Sequence, residues 1–254
     1  MASIKLREKE VFSKLRIPQN NEFFIRLDGW RFNRLCKSLD VEKPFDARIA
    51  RCFVQAVRAV YSAGFTPSLC YLCSDEANLL FLPPPPFNGR VEKFDSVLAG
   101  IVSSGFTLAI NEIFGKEMAA PFDSRVTLTP AELVLEYLTW RQRESNGNYL
   151  NAYGYWTLIR EGLNPKTAAM QLKGLDAADI AELVAKHEVD LSEKPMWQRN
   201  GILIYRKAAR KYWLGVGDIE RTRLEEDWAP PIFASRSGKA LVHRILLQKR
   251  KGKR

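Results

Sequence analysis

The run Phe23-Phe24-Ile25-Arg26-Leu27 predicts a strand over residues 22–27 that leads into Asp28-Gly29. Ile49, Phe53, Ala56, Val57 and Val60 recur at helical spacing and predict a helix over residues 44–63, with Pro44 near its first turn and Gly64 ending it. Residues 68–73 read as a second strand. Ser74-Asp75-Glu76 interrupts the apolar run, which resumes over residues 77–82, the pattern of a hairpin. Four prolines, Pro83 to Pro86, form a loop. Val91, Phe94, Leu98, Ile101 and Val102 make one stripe of a long helix over residues 90–114, and residues 122–128 alternate as a fourth strand. The order is β-α-β-β-α-β, the split βαβ or ferredoxin-like unit.

Past residue 128 the pattern turns helical. Thr129-Pro130 sets an N-cap residue before a proline at the first helical position. Helices are predicted at about 130–145, 148–160, 165–173 and 176–187, with Asn164-Pro165 repeating the cap signal. Residues 201–213 read as a β-hairpin or strand pair with a basic face. The expected fold class is α+β, with a catalytic unit at 1–128, a mainly helical region with a small β-hairpin at 129–248, and a disordered basic tail at 249–254.

Composition narrows the chemistry. The 254 residues carry 39 Lys+Arg against 29 Asp+Glu, a formal charge of +10, with 46% hydrophobic and 27% charged residues. That profile supports a sizeable core and excludes a largely disordered chain. No unbroken apolar run approaches the roughly 20 residues that span a bilayer, and Met1 to Arg16 lack the apolar centre of a signal peptide. A cytoplasmic chain with no membrane partner is expected. Cys36, Cys52, Cys70 and Cys73 suit free buried thiols, and Cys70 and Cys73 sit in an apolar run that favours packing over a zinc site. With His187 and His243 as the only histidines, nucleophile–histidine mechanisms have little to draw on. Chemistry based on carboxylates, metal ions and cations is expected, and the positive charge points to a polyanionic partner such as nucleic acid.

In a split βαβ unit the first and second strands are parallel, and the third lies between them, antiparallel to both. The end of the first strand and the turn between the second and third then share one sheet edge. Asp28 ends the first strand, and Asp75 and Glu76 occupy that turn, so an acidic cluster is expected. Asp-Gly and Ser-Asp-Glu are also ordinary turn residues; their meeting at one edge favours the functional reading. Converging carboxylates raise one another's pKa unless a cation offsets them. Such oxygen ligands suit magnesium, and two ions about 4 Å apart would serve an in-line phosphoryl displacement. Gly29 would let the backbone approach an ion or phosphate. Arg90 and Lys93, neighbours on one helix face near an N-terminus, are candidate phosphate ligands or a solvated basic face. Lys43 and Arg26 are further candidates.

These residues carry a family resemblance. Asp28-Gly29-x-x-Phe32, Lys43-Pro44-x-Asp46-x-Arg48, Ser74-Asp75-Glu76 and Arg90-x-x-Lys93 resemble the motifs of the tRNA-His guanylyltransferase family. So do Phe122-Asp123-x-Arg125, Trp140-Arg141-Gln142, Tyr155-Trp156-x-Leu158, Lys194-Pro195-x-Trp197 and Arg199-x-Gly201, in order. The resemblance implies a polymerase- or cyclase-like palm and 3′-to-5′ nucleotide addition at a tRNA 5′ end, with ATP or GTP as substrate and usually a tetramer. It implies that Asp28, the Gly29 carbonyl and Asp75 hold two magnesium ions, with Glu76 supporting them in the catalytic set. Arg26, the loop Asp28, Gly29, Trp30, Arg31, Phe32 and Asn33, together with Ser74 and Asp75, would contact the nucleotide. Lys43, Asp46, Arg90 and Lys93 would bind base or triphosphate. Asn148, Lys207, Arg210 and Lys211 are the expected RNA contacts.

Two departures shape the functional expectation. Many members read D-G-R-x-F, whereas Trp30 stands here at the Arg position and Arg31 follows. The eukaryotic tRNA-His enzymes carry H-I-N-N where this chain has Asn146-Gly147-Asn148-Tyr149, keeping only Asn148. The chain thus resembles the guanylyltransferase-like branch of archaea and bacteria, associated with template-dependent repair of 5′-truncated tRNAs. The alternatives are addition of a guanylate at position −1 of tRNA-His, a palm-type nucleotide cyclase, and a non-catalytic RNA-binding module.

Overall fold

The structure, a computed structural model, describes residues 9–213 and 217–251, and for 208–213, 217–221 and 248–251 the backbone alone. Among the described residues a six-stranded sheet forms from β1 (Phe23–Gly29), β2 (Leu69–Cys73), β3 (Glu76–Phe81), β4 (Phe122–Leu128), β5 (Ile202–Trp213) and β6 (Gly217–Asp227), in the order β4-β1-β3-β2-β5-β6. β3 lies between β1 and β2 and is antiparallel to both. This is the expected α+β palm, with helices on both faces.

Side-chain alternation divides two cores. Phe23, Ile25, Leu27, Cys70, Leu72, Ala77, Leu79 and Phe81 face α2 (Ala47–Ser62) and α3 (Val91–Phe114) in one apolar cluster. Phe24, Leu69, Tyr71, Cys73 and Leu80 face the first half of α4 (Val134–Arg160) and the C-terminal α8 (Arg236–Lys251) in a second. The four cysteines are buried thiols and form no disulfide. By length and hydropathy α3 could cross a membrane. Glu92, Lys93, Asp95 and its serines interrupt any unbroken apolar run, and one stripe, Phe94 to Ile110, is buried against α2 and the sheet.

Several elements differ from the sequence expectations. An unforeseen helix, α1 (Phe32–Leu39), follows β1. α2 begins at Ala47 rather than Pro44, because Asp46 is its N-cap and accepts from the Arg48 amide at 2.8 Å. The two helices expected at 130–145 and 148–160 are one 27-residue helix, α4. Asn146-Gly147-Asn148 are weak helix formers, with glycine costing about 1 kcal/mol relative to alanine. Buried Ser145 and Tyr149 on either side carry the helix through them. Beyond the sheet, α4 packs Tyr149, Tyr153 and Leu158 against α5 (Pro165–Leu172) and α6 (Ala177–Lys186) in a third cluster. A short α7 (Met196–Asn200) leads into β5.

The β-hairpin or strand pair expected at 201–213 is a single strand, β5, paired on one side with β2 from Leu72↔Ile202 to Leu69↔Tyr205 and on the other with β6 from Leu203↔Asp227 to Trp213↔Gly217. The chain after residue 128 therefore completes the sheet of the first half as well as forming the helical part. The basic tail expected from residue 249 is helical through Lys251 as the end of α8; residues 252–254 lie outside the described residues.

Candidate active site

Strand register lines up the acids. Asp28 stands opposite Glu76 on β3 and opposite Asp123 on β4, so three carboxylates cross three adjacent strands in one row. The Gly29 amide donates to the Asp75 carbonyl at 3.0 Å, which ties the end of β1 to the β2–β3 turn. Ser74 takes a left-handed φ of 53° there, and its hydroxyl donates to Asp75 Oδ1 at 3.0 Å. A Cβ on Gly29 would meet Phe32 Cδ2 at 2.6 Å, so glycine is required for this close approach. Burial, then Asp75, Glu76 and Asp123, push the Asp28 carboxyl above its ordinary range, with Arg125 opposing them. The predicted convergence of Asp28, Asp75 and Glu76 is present. Asp123 joins them through the register of β4, which the motif Phe122-Asp123-x-Arg125 alone does not disclose.

Glu76 is the buried member. Its carboxylate accepts from Arg141 Nε at 2.8 Å and Nη2 at 2.7 Å, Asn78 Nδ2 at 3.0 Å and Cys73 Sγ at 3.1 Å. Asn78 in turn accepts from the Tyr137 hydroxyl at 2.7 Å. Glu76 is thus tied to α4 through Arg141. Asp28 and Asp75, with the Gly29 carbonyl, are the oxygen donors left at the edge. Among the described residues no group of three or more His, Cys, Asp or Glu side chains is placed to hold a metal ion by itself. Two carboxylates and a carbonyl fit magnesium, which takes few protein ligands and completes its shell with water and substrate phosphate. The raised Asp28 pKa is the electrostatic condition that a cation would relieve.

Beside the acids a cavity of about 270 Å³ opens between the β1–α1 and β2–β3 connections and the outer half of α4. Phe32, Asn33, Lys43, Asp46, Ser74 and Asp75 line it from the predicted nucleotide set. Asn148, expected as an RNA contact, lines it too, with Trp156 and Trp197 from the helical part. The Lys43 ammonium lies 5.9 Å from the Trp156 ring centroid, and the Lys43 carbonyl accepts from Arg160 at 2.6 Å. Asp46 faces the cavity with its carboxylate already spent on the Glu42 amide at 2.9 Å and on the Arg48 amide and guanidinium at 2.8 and 2.6 Å. That assigns it to holding the start of α2 rather than to reading a base.

The cations are distributed differently from expectation. Arg26 shares a face with Asp28, opposite Arg125 and Asn78, and its Nε is buried without a hydrogen-bond partner. Arg125 pairs with Asp123 at 2.7 Å. Arg90 and Lys93, by contrast, sit at the opposite end of the sheet. β3 carries the chain away from the acids, and Phe94, next to Lys93, packs on Phe23 and Phe81 at 5.0 and 5.6 Å. Phe23 is five residues from Asp28 along β1, about 17 Å at roughly 3.4 Å per residue. The structure does not bring this pair to the acids, and Arg90 instead approaches Glu92 at 3.8 Å. Trp30 and Arg31 lie outside the cavity. Lys207, beyond the β2-paired part of β5, is exposed and pairs with Glu225 at 3.4 Å. The side chains of Arg210 and Lys211 lie outside the described residues.

Residues 3–130 match the family model described as tRNAHis guanylyltransferase, and residues 132–230 match that of the Thg1 C terminal domain. A probable tRNA(His) guanylyltransferase of Drosophila melanogaster is 32% identical over 72% of this chain and 66% of its own length. The human counterpart is 29% identical over 77% of this chain and 65% of its own length. The chain thus spans about two thirds of these relatives, whereas the match to the Schizosaccharomyces pombe tRNA(His) guanylyltransferase, at 29% identity, covers 84% of both. Among solved structures, a bacterial tRNA(His) guanylyltransferase (Thg1)-like protein in complex with ATP superposes with a TM-score of 0.74 over 94% of this chain and 95% of that one, at 22% identity. The Saccharomyces cerevisiae enzyme gives 0.72 over 87% and 96%, at 20% identity. At such identities these two establish the fold.

Proposed function

The chain belongs to the tRNAHis guanylyltransferase family, and from that premise we propose that it is a nucleotidyltransferase that adds guanylate to the 5′ end of tRNA. The observation that carries this reading is the bond from the Gly29 amide to the Asp75 carbonyl, which ties the strand end bearing Asp28 to Asp75, itself on the wall of the cavity. Growth at a 5′ end joins the 3′-hydroxyl of the incoming nucleotide to the 5′ phosphorus of the RNA. On a 5′-triphosphate end the oxygen–phosphorus bond forms as the bond to pyrophosphate breaks, and the hydroxyl proton is lost.

The chain supports each part of that displacement. The incoming base and sugar fill the cavity between Phe32 and Trp156, with Lys43 and Asn148 at its wall. Arg26 and Arg125, two residues along their strands from Asp28 and Asp123, would supply positive charge for a phosphate of the acceptor. Asp28, Asp75 and the Gly29 carbonyl would hold magnesium, which when bound would offset charge on the attacking and leaving oxygens. Glu76, fixed by Arg141, follows Asp75 in the chain and stands opposite Asp28, so it would hold both in register.

A second reading, template-directed repair of 5′-truncated tRNAs, is favoured by one feature. The cavity carboxylate expected to bind a base, Asp46, is consumed by the α2 cap. A site that rejects wrong bases strongly needs unspent hydrogen-bonding groups, and template pairing removes that need. Related bacterial Thg1-like proteins are seen with ATP and with GTP. Labelled GTP and ATP, supplied with tRNA-His lacking its −1 nucleotide and with truncated tRNAs bearing each of the four template bases, separate the readings. Guanylate added equally against all four bases supports strict guanylyl transfer, whereas addition that follows the template supports repair. No addition to any RNA overturns both.

A further inference from the structure

We propose that Trp30, backed by Arg31, is the platform on which the 5′-terminal base of the RNA acceptor stacks. The inference rests on the proposed function and concerns the second substrate, the one the cavity does not hold.

Trp30 lies two residues past Asp28 and is 54% exposed. Among the described residues no other aromatic ring packs on it; the Arg31 guanidinium lies 4.3 Å from the ring centroid. The backbone around it is pinned. The Trp30 amide donates to the Pro121 carbonyl at 2.9 Å and the Gly29 amide to Asp75 at 3.0 Å. Phe32 packs on Phe53 and Phe106 at 5.5 and 5.9 Å. Arg31 opens α1 from a left-handed conformation, φ 52° and ψ 36°, which a residue with a Cβ disfavours. An exposed indole on a fixed loop, carrying a cation, is a preorganised stacking surface.

Its position follows from the strand order. β4 and Pro121 lie on one side of Asp28, and the β2–β3 turn, whose Ser74 and Asp75 line the cavity, lies on the other. Asp75 therefore borders the cavity, whereas Trp30, tied to Pro121 on the β4 side of Asp28, is not part of its lining. Joining two substrates at one pair of acids brings one from each side. With the incoming nucleotide in the cavity, the acceptor end comes across Trp30. Every base offers a flat face, so stacking on an indole tolerates any 5′ nucleotide, and Arg31 adds positive charge for the neighbouring phosphate.

The test uses the full chain and a tRNA carrying 2-aminopurine as its 5′-terminal base. Wild type and Trp30→Phe quench the fluorophore on binding, and Trp30→Ala does not. Trp30→Ala raises the KM for tRNA by about tenfold, the scale of one stacked base, with the KM for nucleotide and the melting temperature unchanged. Arg31→Ala gives a smaller rise. Equal tRNA KM and equal quenching in wild type and Trp30→Ala overturn the inference, as does a rise confined to the nucleotide KM. If wild type neither binds nor extends tRNA, the proposed function fails and the platform with it. Extension by wild type with Trp30→Ala unaffected overturns the platform alone.

Discussion

Arg141 on α4 and Glu76 on β3, 65 positions apart, form a two-point ion pair at 2.8 and 2.7 Å with 13% and 6% of their side chains exposed. The pair fastens the longest helix to the strand end that carries the acids. Removing one partner strands the other charge in a buried site, which typically costs about 3–5 kcal/mol. Arg141→Ala is expected to lower the unfolding free energy by about 3 kcal/mol in urea titration, and Arg141→Lys by less, since it keeps the charge but loses the two-point geometry. Equal stability of Arg141→Ala and wild type would contradict the structural role.

Asp46 links stability to pH. Burial pushes its carboxyl up, but the hydrogen bonds from Arg48 and Glu42 outweigh burial and hold it below the ordinary range. A depressed folded pKa contributes stability above the unfolded value, about 3.9, and that contribution is lost as pH falls through the folded value. Asp46→Ala should cost about 1–2 kcal/mol at pH 7, the scale of an N-cap, and progressively less below about pH 4. Denaturant midpoints of the two proteins across that range check it.

Asp28 has the opposite sign. Its raised pKa means that ionisation costs the metal-free native state, a cost absent below the unfolded pKa and complete above the folded one. In chelator, Asp28→Asn should melt above wild type at neutral pH, and the gap should close as pH falls into the carboxyl range. A variant that melts lower at neutral pH would show that the carboxylate stabilises the empty fold.

RNA affinity should depend strongly on salt, given the charge of +10. Each neutralised phosphate contributes about −0.7 to −0.9 to the slope of log affinity against log salt. Deleting residues 249–254, which hold Lys249, Arg250, Lys251, Lys253 and Arg254, should flatten that slope and weaken binding modestly. An unchanged slope would make the basic end a bystander.

The acid edge was legible in the sequence because split βαβ topology alone brings the end of β1 to the β2–β3 turn. Placing Arg90 and Lys93 required the direction of β3 as well: a strand leaving the acids delivers the next helix start to the far end, however suitable that helix N-terminus is for phosphate. Asp123 became visible only through its pairing with Asp28, because cross-strand register is not written in a single motif. The continuity of α4 was hidden by Asn146-Gly147-Asn148, whose local preference is overridden by packing on both halves of the helix. β5 reads locally as a hairpin strand, and its pairing with β2, more than a hundred residues away, is a tertiary fact.

The most direct test of the account is single-turnover addition of labelled GTP to a 5′-triphosphorylated tRNA by wild type, Asp28→Ala and Asp75→Ala at saturating magnesium. Wild type is expected to extend the RNA by one nucleotide at its 5′ end. Both variants should remain folded by circular dichroism and lose addition by at least about a thousandfold, a transition-state loss of about 4 kcal/mol. Turnover at the wild-type rate in either folded variant would contradict the claim that Asp28 and Asp75 carry the chemistry.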